Sequence, residues 1–404
     1  MKHEKNFKIF VVLLFAFHGA SISAQDSSIC TVAAQSLREA SRIRKLAVKK
    51  EVPCLTQNRA EIEQFLRATI HVRLPPNKLK MEEIVYRAIG MVPEQFDYVE
   101  GVLKLYVSQL GGYYDPEKRH FVMANWIPAA LQKTIAVHEL THALQDQHFN
   151  LDTILDSTIS NGDMLLARSA LIEGDATAVM LDSERLAEQE ESLAKLPSID
   201  MLFAEEVLGS SAAMASQEVP ETIKSFVLFP YSSGLRFAHE LMRRGGRAEI
   251  DKAFRKLPRS SREILHPKVY FGEGAPSIEV SPASLDRDGE VGEPSYSDVI
   301  GEFGIIAMLG SGMSDKRPAI DAGQGWLGDL VGVFEQSETF RIVSWRSVWE
   351  QESDAKEFAS SYTELIRRQN GVVIGAEWSV VSDKKRVKIE VSASAVSIVV
   401  KVVK

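Results

Sequence analysis

Thr134-Ile135-Ala136-Val137-His138-Glu139-Leu140-Thr141-His142-Ala143-Leu144 is the stretch on which the reading of this chain turns. Pro128 precedes it and suits a first helical position, because its missing N–H would have no partner there anyway; a helix is expected from Pro128 to about His148. Between Thr134 and Leu144 that helix is apolar nearly all round, which predicts burial. Residues four apart on a helix share a face, with Cβ atoms about 5 to 6 Å apart, so His138 and His142 can chelate one ion. Glu139, one position on, points beside that ion and can hold its water.

Zinc is the expected metal, and a catalytic zinc needs a third protein ligand while keeping its fourth position for water. Two residues compete for that role. Glu173 lies in Ala170-Leu171-Ile172-Glu173-Gly174-Asp175-Ala176, on a second long helix expected over 162–190. The stripe Leu166, Ala170, Glu173, Thr177, Met180 is apolar or small except for Glu173, and a carboxylate on a buried stripe needs a cation. By the same wheel Asp175 aligns with Arg168 and Asp182 and is expected to face solvent. The rival, His148, has the spacing of the third histidine in metzincins, HExxHxxGxxH. There a glycine lets the chain turn, whereas Gln145 stands at that position here, and continued helix would carry His148 about 600° round from His142.

Attack of water on a carbonyl also calls for a donor to the developing oxyanion. Tyr231, in Phe229-Pro230-Tyr231-Ser232-Ser233-Gly234, is expected at the start of a helix that ends at Gly245-Gly246. His266 follows the capping-box-like Ser260-Ser261-Arg262-Glu263. Either can donate. Upstream of the metal helix, Tyr113-Tyr114 and Phe121-Val122-Met123 flank a polar stretch and predict a hairpin, whose exposed strand could pair with an extended peptide.

Elsewhere the patterning is that of an α+β protein. Residues 58–72 and 78–89 read as amphipathic helices, and 95–110 as a third that stops at Gly111-Gly112. Residues 282–294 have the composition of a linker. Beyond it come a helix over 299–309, strands over 330–334 and 341–348, a helix over 354–367 capped by Ser353, and a largely alternating strand over 387–400.

With Lys+Arg 47 against Asp+Glu 55 and 45% apolar residues in 404, the chain is an acidic globular protein. Lys2, Lys5 and Lys8, the short apolar run 9–17 and the small residues up to Ala24 predict a secretory signal peptide and an exported, periplasmic or secreted product. Nine apolar residues are far short of the about 20 that a membrane span needs, so no stable membrane insertion is expected after cleavage. Removing residues 1–24 leaves 44 − 54 = −10, a poor charge for nucleic acid or anionic lipid. Cys30 and Cys54, the only two cysteines, are expected to form one disulfide.

The succession His138-Glu139-Leu140-Thr141-His142-Ala143-Leu144-Gln145-Asp146-Gln147, Glu173-Gly174-Asp175-Ala176, Pro230-Tyr231 with Gly234, and Leu265-His266-Pro267 with Tyr270 resembles a poorly characterised group of exported bacterial and archaeal zincin-like proteins. Gly325-Trp326, Gly328-Asp329 and Trp349 look like its later landmarks, so the resemblance covers about residues 100–360. It implies a gluzincin-type arrangement, with Glu173 as third ligand beside His138 and His142, and it implies no substrate. The resulting expectation is an α+β protein with a mainly helical zincin-like metallopeptidase core and a short β-hairpin, followed by a small C-terminal α+β unit. Its regions are a signal peptide (1–24), an N-terminal helical region (25–110), the catalytic core (111–281) and the C-terminal unit (295–404). Glu139 serves as general base on a peptide or protein substrate, with Tyr231 or His266 assisting and Zn²⁺ as cofactor. The alternative is a zincin-like scaffold that binds peptides or envelope components without turnover; an intact Glu139 argues against it.

Overall fold

The computed structural model describes residues 26–73, 76–156, 158–159, 161–200, 219–286, 292–335, 340–370, 373–374, 379–382 and 385–403. The expected signal peptide and its cleavage site lie outside the described residues, as does part of the linker. The architecture is mixed α+β.

Helix α1 (Asp26–Arg44) buries Ile29, Ala33, Leu37, Ala40 and Ile43, a three-and-four spacing, and packs on the helix that carries His138 and His142. A disulfide between Cys30 and Cys54 ties it to strand β1 (Cys54–Gln57). Helices α2 (Arg59–Arg73), α3 (Pro76–Ile89) and α4 (Tyr98–Gln109) follow; α4 starts three residues later than its sequence suggested, because the Asp97 side chain accepts from Glu100 N and sets the cap there. Strands β2 (Gly112–Asp115) and β3 (His120–Ala124) form the expected hairpin, and β1 adds to β3 in parallel, giving the order β1-β3-β2. The hairpin strand expected to lie exposed does not: all four residues of β2 are buried.

Helix α5 (Ala129–Phe149) runs over this sheet and is followed by α6 (Leu151–Ile154) and α7 (Gly162–Ala187). Next come α8 (Glu221–Gly245), α9 (Arg247–Ala253), α10 (Ser261–Leu265) and α11 (Pro267–Tyr270). These enclose a second core of Leu171, Phe229, Phe237, Leu241 and their neighbours.

The remaining chain forms an antiparallel sheet in the order β4-β5-β6-β10-β9-β8-β7. Its strands are β4 (Tyr296–Asp298), β5 (Trp326–Glu335), β6 (Phe340–Trp349), β7 (Val373–Ile374), β8 (Ser379–Ser382), β9 (Lys385–Ser392) and β10 (Ala395–Val403). Helices α12 (Gly301–Gly310), α13 (Arg317–Gly323) and α14 (Glu352–Asn370) cover one face, and α3 from the N-terminal region joins that core through Val85, Ala88 and Ile89. The run 387–400, expected as one strand, is two. Ala393 takes φ 50 between β9 and β10, so a turn forms without glycine or proline.

Two buried carboxylates fasten the sheet to the helices. Asp298 accepts from Gly162 N at 2.6 Å, at the first residue of α7. Asp329 accepts from Ile300 N, Gly301 N and the indoles of Trp326 and Trp345. A third buried carboxylate, Asp163 on α7, is the costly one: one oxygen accepts from Ser261 N at 3.0 Å, and the other has no hydrogen-bond partner among the described residues. Burial pushes its carboxyl up to about 8, despite the Ser261 bonds that pull it down.

An unfolded aspartate titrates near 3.9, so from about pH 4 to about 8 the folded chain binds a proton that the unfolded chain does not. Stability conferred by this site is therefore fully present below about pH 4 and is lost progressively as the pH rises from about 4 to about 8. Asp163→Asn should gain stability relative to the native protein between pH 5 and 8 in urea denaturation at each pH. A pH-independent difference would refute the assignment.

Candidate metal centre

Burial of α5 is what makes its polar side chains matter. Ile135 through Gln145 are all buried, as the all-round apolar character of the stretch predicts, and the helix closes at Asn150 in a left-handed C-cap. His138 and His142 sit one turn apart with ring centroids 4.8 Å from each other. Helix α7 is started by Asn161, whose side chain accepts from Met164 N, and buries its middle. Gly174 brings α7 against α8: a Cβ on Gly174 would lie 2.1 Å from the Gly234 carbonyl, and one on Gly234 would lie 2.2 Å from the Ala170 oxygen. The two helices therefore touch backbone to backbone, with Glu173 and Tyr231 flanking the crossing.

Glu173 Oε2 stands 3.1 Å from His138 Nε2 and 3.3 Å from His142 Nε2, and all three ligand atoms lie within 4.8 Å of one another. Ligand atoms arranged tetrahedrally on zinc at about 2.0–2.2 Å stand roughly 3.3 Å apart, and the two separations between Glu173 and the imidazole nitrogens match that spacing. Burial pushes the Glu173 carboxyl up, and the two imidazoles more than offset this, leaving it below the usual carboxylate range. Burial likewise lowers His138, which disfavours an imidazolium and favours a neutral, metal-binding ring. Among the described residues this is the one group of three or more such side chains able to hold a metal.

Glu139 is fully buried beside the triad. Its Oε2 accepts from Tyr114 N, on the edge strand β2, at 2.9 Å, while Oε1 has no hydrogen-bond partner among the described residues. Burial and the Glu173 charge push this carboxyl well above its ordinary value, and the Tyr114 N–H acts the other way.

The other sequence candidates separate clearly. His148, the rival third ligand, is turned away from the triad: its Nε2 meets the Ala47 carbonyl at 2.8 Å. Tyr231 is brought to the site, its ring centroid 6.1 Å from that of His138, but it does not begin a helix. Helix α8 starts ten residues earlier, at Glu221, and carries Pro230 inside it. His266 bonds Glu302 Oε1 at 2.6 Å, 36 residues along the chain, and is thereby tied to that buried carboxylate. Asp175, expected at the surface, is fully buried. The polar face it shares with Asp182 is filled from elsewhere in the chain, by Arg44 and Arg247, which ion-pair with it.

Sequence reasoning also missed Gln145. It lies on the buried helix three residues from His142, and its Oε1 meets His142 Nδ1 at 2.9 Å. An uncharged but strongly hydrogen-bonding amide inside a dry segment was the available signal.

Residues 290–402, the part carrying the seven-stranded sheet, match a family model described as a domain of unknown function (DUF8575), which does not extend to α5 and α7. No curated protein and no solved structure matches the chain.

Proposed function

We propose that this chain is an exported zinc-dependent metallopeptidase with a zincin-like core, in which His138, His142 and Glu173 hold Zn²⁺ and Glu139 is the general base. The observation that carries the reading is the convergence of two Nε2 atoms and one carboxylate oxygen in a buried site with Glu139 beside it. A structural zinc is closed by four protein ligands; three ligands leave a position open for chemistry. Bound there, zinc would acidify water towards a pKa of about 7 and polarise the scissile carbonyl.

The chain's own groups do the rest. Oε1 of Glu139 takes the proton of the attacking water, while Oε2 stays fixed on Tyr114 N and holds the carboxylate in one orientation. Glu139 then delivers that proton to the nitrogen of the departing amine. Tyr231, its ring 6.1 Å from that of His138, is the donor assigned to the oxyanion.

Burial favours a second reading. His138, Glu139, His142 and Glu173 are each at most 5% exposed, as in a scaffold that binds metal without turnover. Metal analysis of the mature protein combined with a cleavage screen over a peptide library separates the two. Stoichiometric zinc with cleavage supports the peptidase, and stoichiometric zinc without any cleavage supports the scaffold. Glu173→Ala should lose zinc affinity by more than the 10- to 100-fold typical of an outer-sphere change, while His148→Ala should retain it. Full zinc occupancy in Glu173→Ala would overturn the ligand assignment.

A further inference from the structure

We infer that Gln145 is the positioning residue for His142: it fixes the proton on Nδ1 and so presents Nε2 to the metal, and Asp175 acts through it, gripped by Arg44 and Arg247. The inference rests on the metal-site reading above and deepens it, since it says which ligand is built in advance and by what.

The amide of Gln145 can be oriented by its partners alone. Its Nε2 lies 3.0 Å from the Ile172 carbonyl and 2.9 Å from Asp175 Oδ2. Both partners are acceptors, so the NH₂ must face them; a flipped amide would set its oxygen against two other oxygens with no hydrogen between. Oε1 is thereby left 2.9 Å from His142 Nδ1. An amide oxygen only accepts, so Nδ1 must carry the hydrogen. A neutral imidazole protonated at Nδ1 has its lone pair on Nε2, which is the atom 3.3 Å from Glu173 Oε2. Metals bind the deprotonated nitrogen, so with the hydrogen on Nδ1 fixed by Gln145, Nε2 is the nitrogen left for an ion.

The support behind Gln145 comes from three helices, α1, α7 and α9. Arg44, the last residue of α1, donates from Nε to Asp175 Oδ2 at 2.6 Å and reaches Asp251 with another nitrogen at 2.7 Å. Arg247, on α9, lies 3.4 Å from Asp175 Oδ1 and donates to Asp182 Oδ2 at 2.7 Å. Arg44, Gln145 and Asp175 are fully buried and Arg247 is nearly so. Without this purpose the cluster would be hard to account for, because buried ion pairs rarely repay their desolvation in stability alone. His138 is treated differently: its Nδ1 has no hydrogen-bond partner among the described residues.

The test uses the mature protein labelled with ¹⁵N in its histidine rings. In the chelator-treated native protein, ring ¹⁵N spectra should show His142 protonated at Nδ1 and bare at Nε2; the opposite tautomer, or a rapid mixture, would overturn the proposal. Gln145→Leu, checked for folding by circular dichroism, should lose that single tautomer and bind zinc about 10- to 100-fold more weakly, the usual cost of removing an outer-sphere partner. A folded Gln145→Leu with native zinc affinity would also overturn it. Asp175→Asn, closer in shape, should weaken zinc in the same direction by a smaller factor, and unchanged affinity there would remove Asp175 from the relay. Should the native protein bind no zinc, the metal reading fails, while the tautomer still judges what Gln145 does to His142.

Discussion

Glu139→Gln is expected to fold, to bind zinc as the native chain does, and to lose peptide cleavage by about 10² to 10⁴, the usual worth of a positioned general base. Glutamine has nearly the volume and shape of glutamate, and its amide oxygen can still accept from Tyr114 N, the bond that holds Oε2 at 2.9 Å. What it cannot do is take a proton at the position of Oε1, the oxygen without a hydrogen-bond partner among the described residues. Zinc content, thermal unfolding and single-peptide cleavage rates on the two proteins check this together. Cleavage at the native rate by a zinc-loaded Glu139→Gln would end the general-base assignment. Tyr231→Phe belongs beside it, with an expected loss of about 10² to 10³ if its phenol is the oxyanion donor.

What could be read from the sequence was what depends on neighbours a few residues away. The long apolar run around His138 and His142, the proline before it and the buried stripe carrying Glu173 are local patterns, and α5 and α7 appear where those patterns put them. Failures arose where the deciding partner is distant. A helical wheel puts Asp175 with Asp182 and Arg168 on a polar face, but a wheel cannot say that Arg44 and Arg247 fill that face. Tyr231 was expected at a helix start, yet the helix already runs from Glu221 and carries Pro230 inside it. The turn at Ala393 carries no glycine or asparagine to mark it, so the two strands read as one. His266 resembled a site residue by its surroundings in sequence; only the fold sets it on Glu302.

Gln145 is the most instructive of these cases. At the sequence level it counted against His148, since it stands where a metzincin would place a turning glycine. The same residue lies between His142 and Asp175, hydrogen-bonded to both. A helix that continues through Gln145 keeps the amide on the inner face, so the feature that excludes His148 also supplies a brace for His142.

The close crossing of α7 and α8 leads to the second large effect. Gly234→Ala should both destabilise the fold and loosen the metal. The new methyl would have to sit 2.2 Å from the Ala170 carbonyl oxygen, with the Ala170 carbonyl carbon at 3.0 Å and Cα at 3.2 Å. These are backbone atoms in a buried helix and cannot rotate away, so the helices must separate by roughly an ångström to restore ordinary contact. Overpacking of this kind costs about 1–3 kcal/mol and more where the backbone itself must move. The displacement falls next to Glu173, whose oxygen stands only 3.1 and 3.3 Å from the two ring nitrogens, and on the helix that brings Tyr231 to His138. Zinc affinity should therefore fall along with stability, and both should fall again in Gly174→Ala, where the methyl would lie 2.1 Å from the Gly234 carbonyl. Urea denaturation of the metal-free proteins reads the first effect, and zinc competition against a chelator under native conditions reads the second. A Gly234→Ala protein as stable as the native chain would mean that α7 and α8 do not pack backbone to backbone. Lost stability with unchanged zinc affinity would mean that the crossing holds the helices together without setting the position of Glu173.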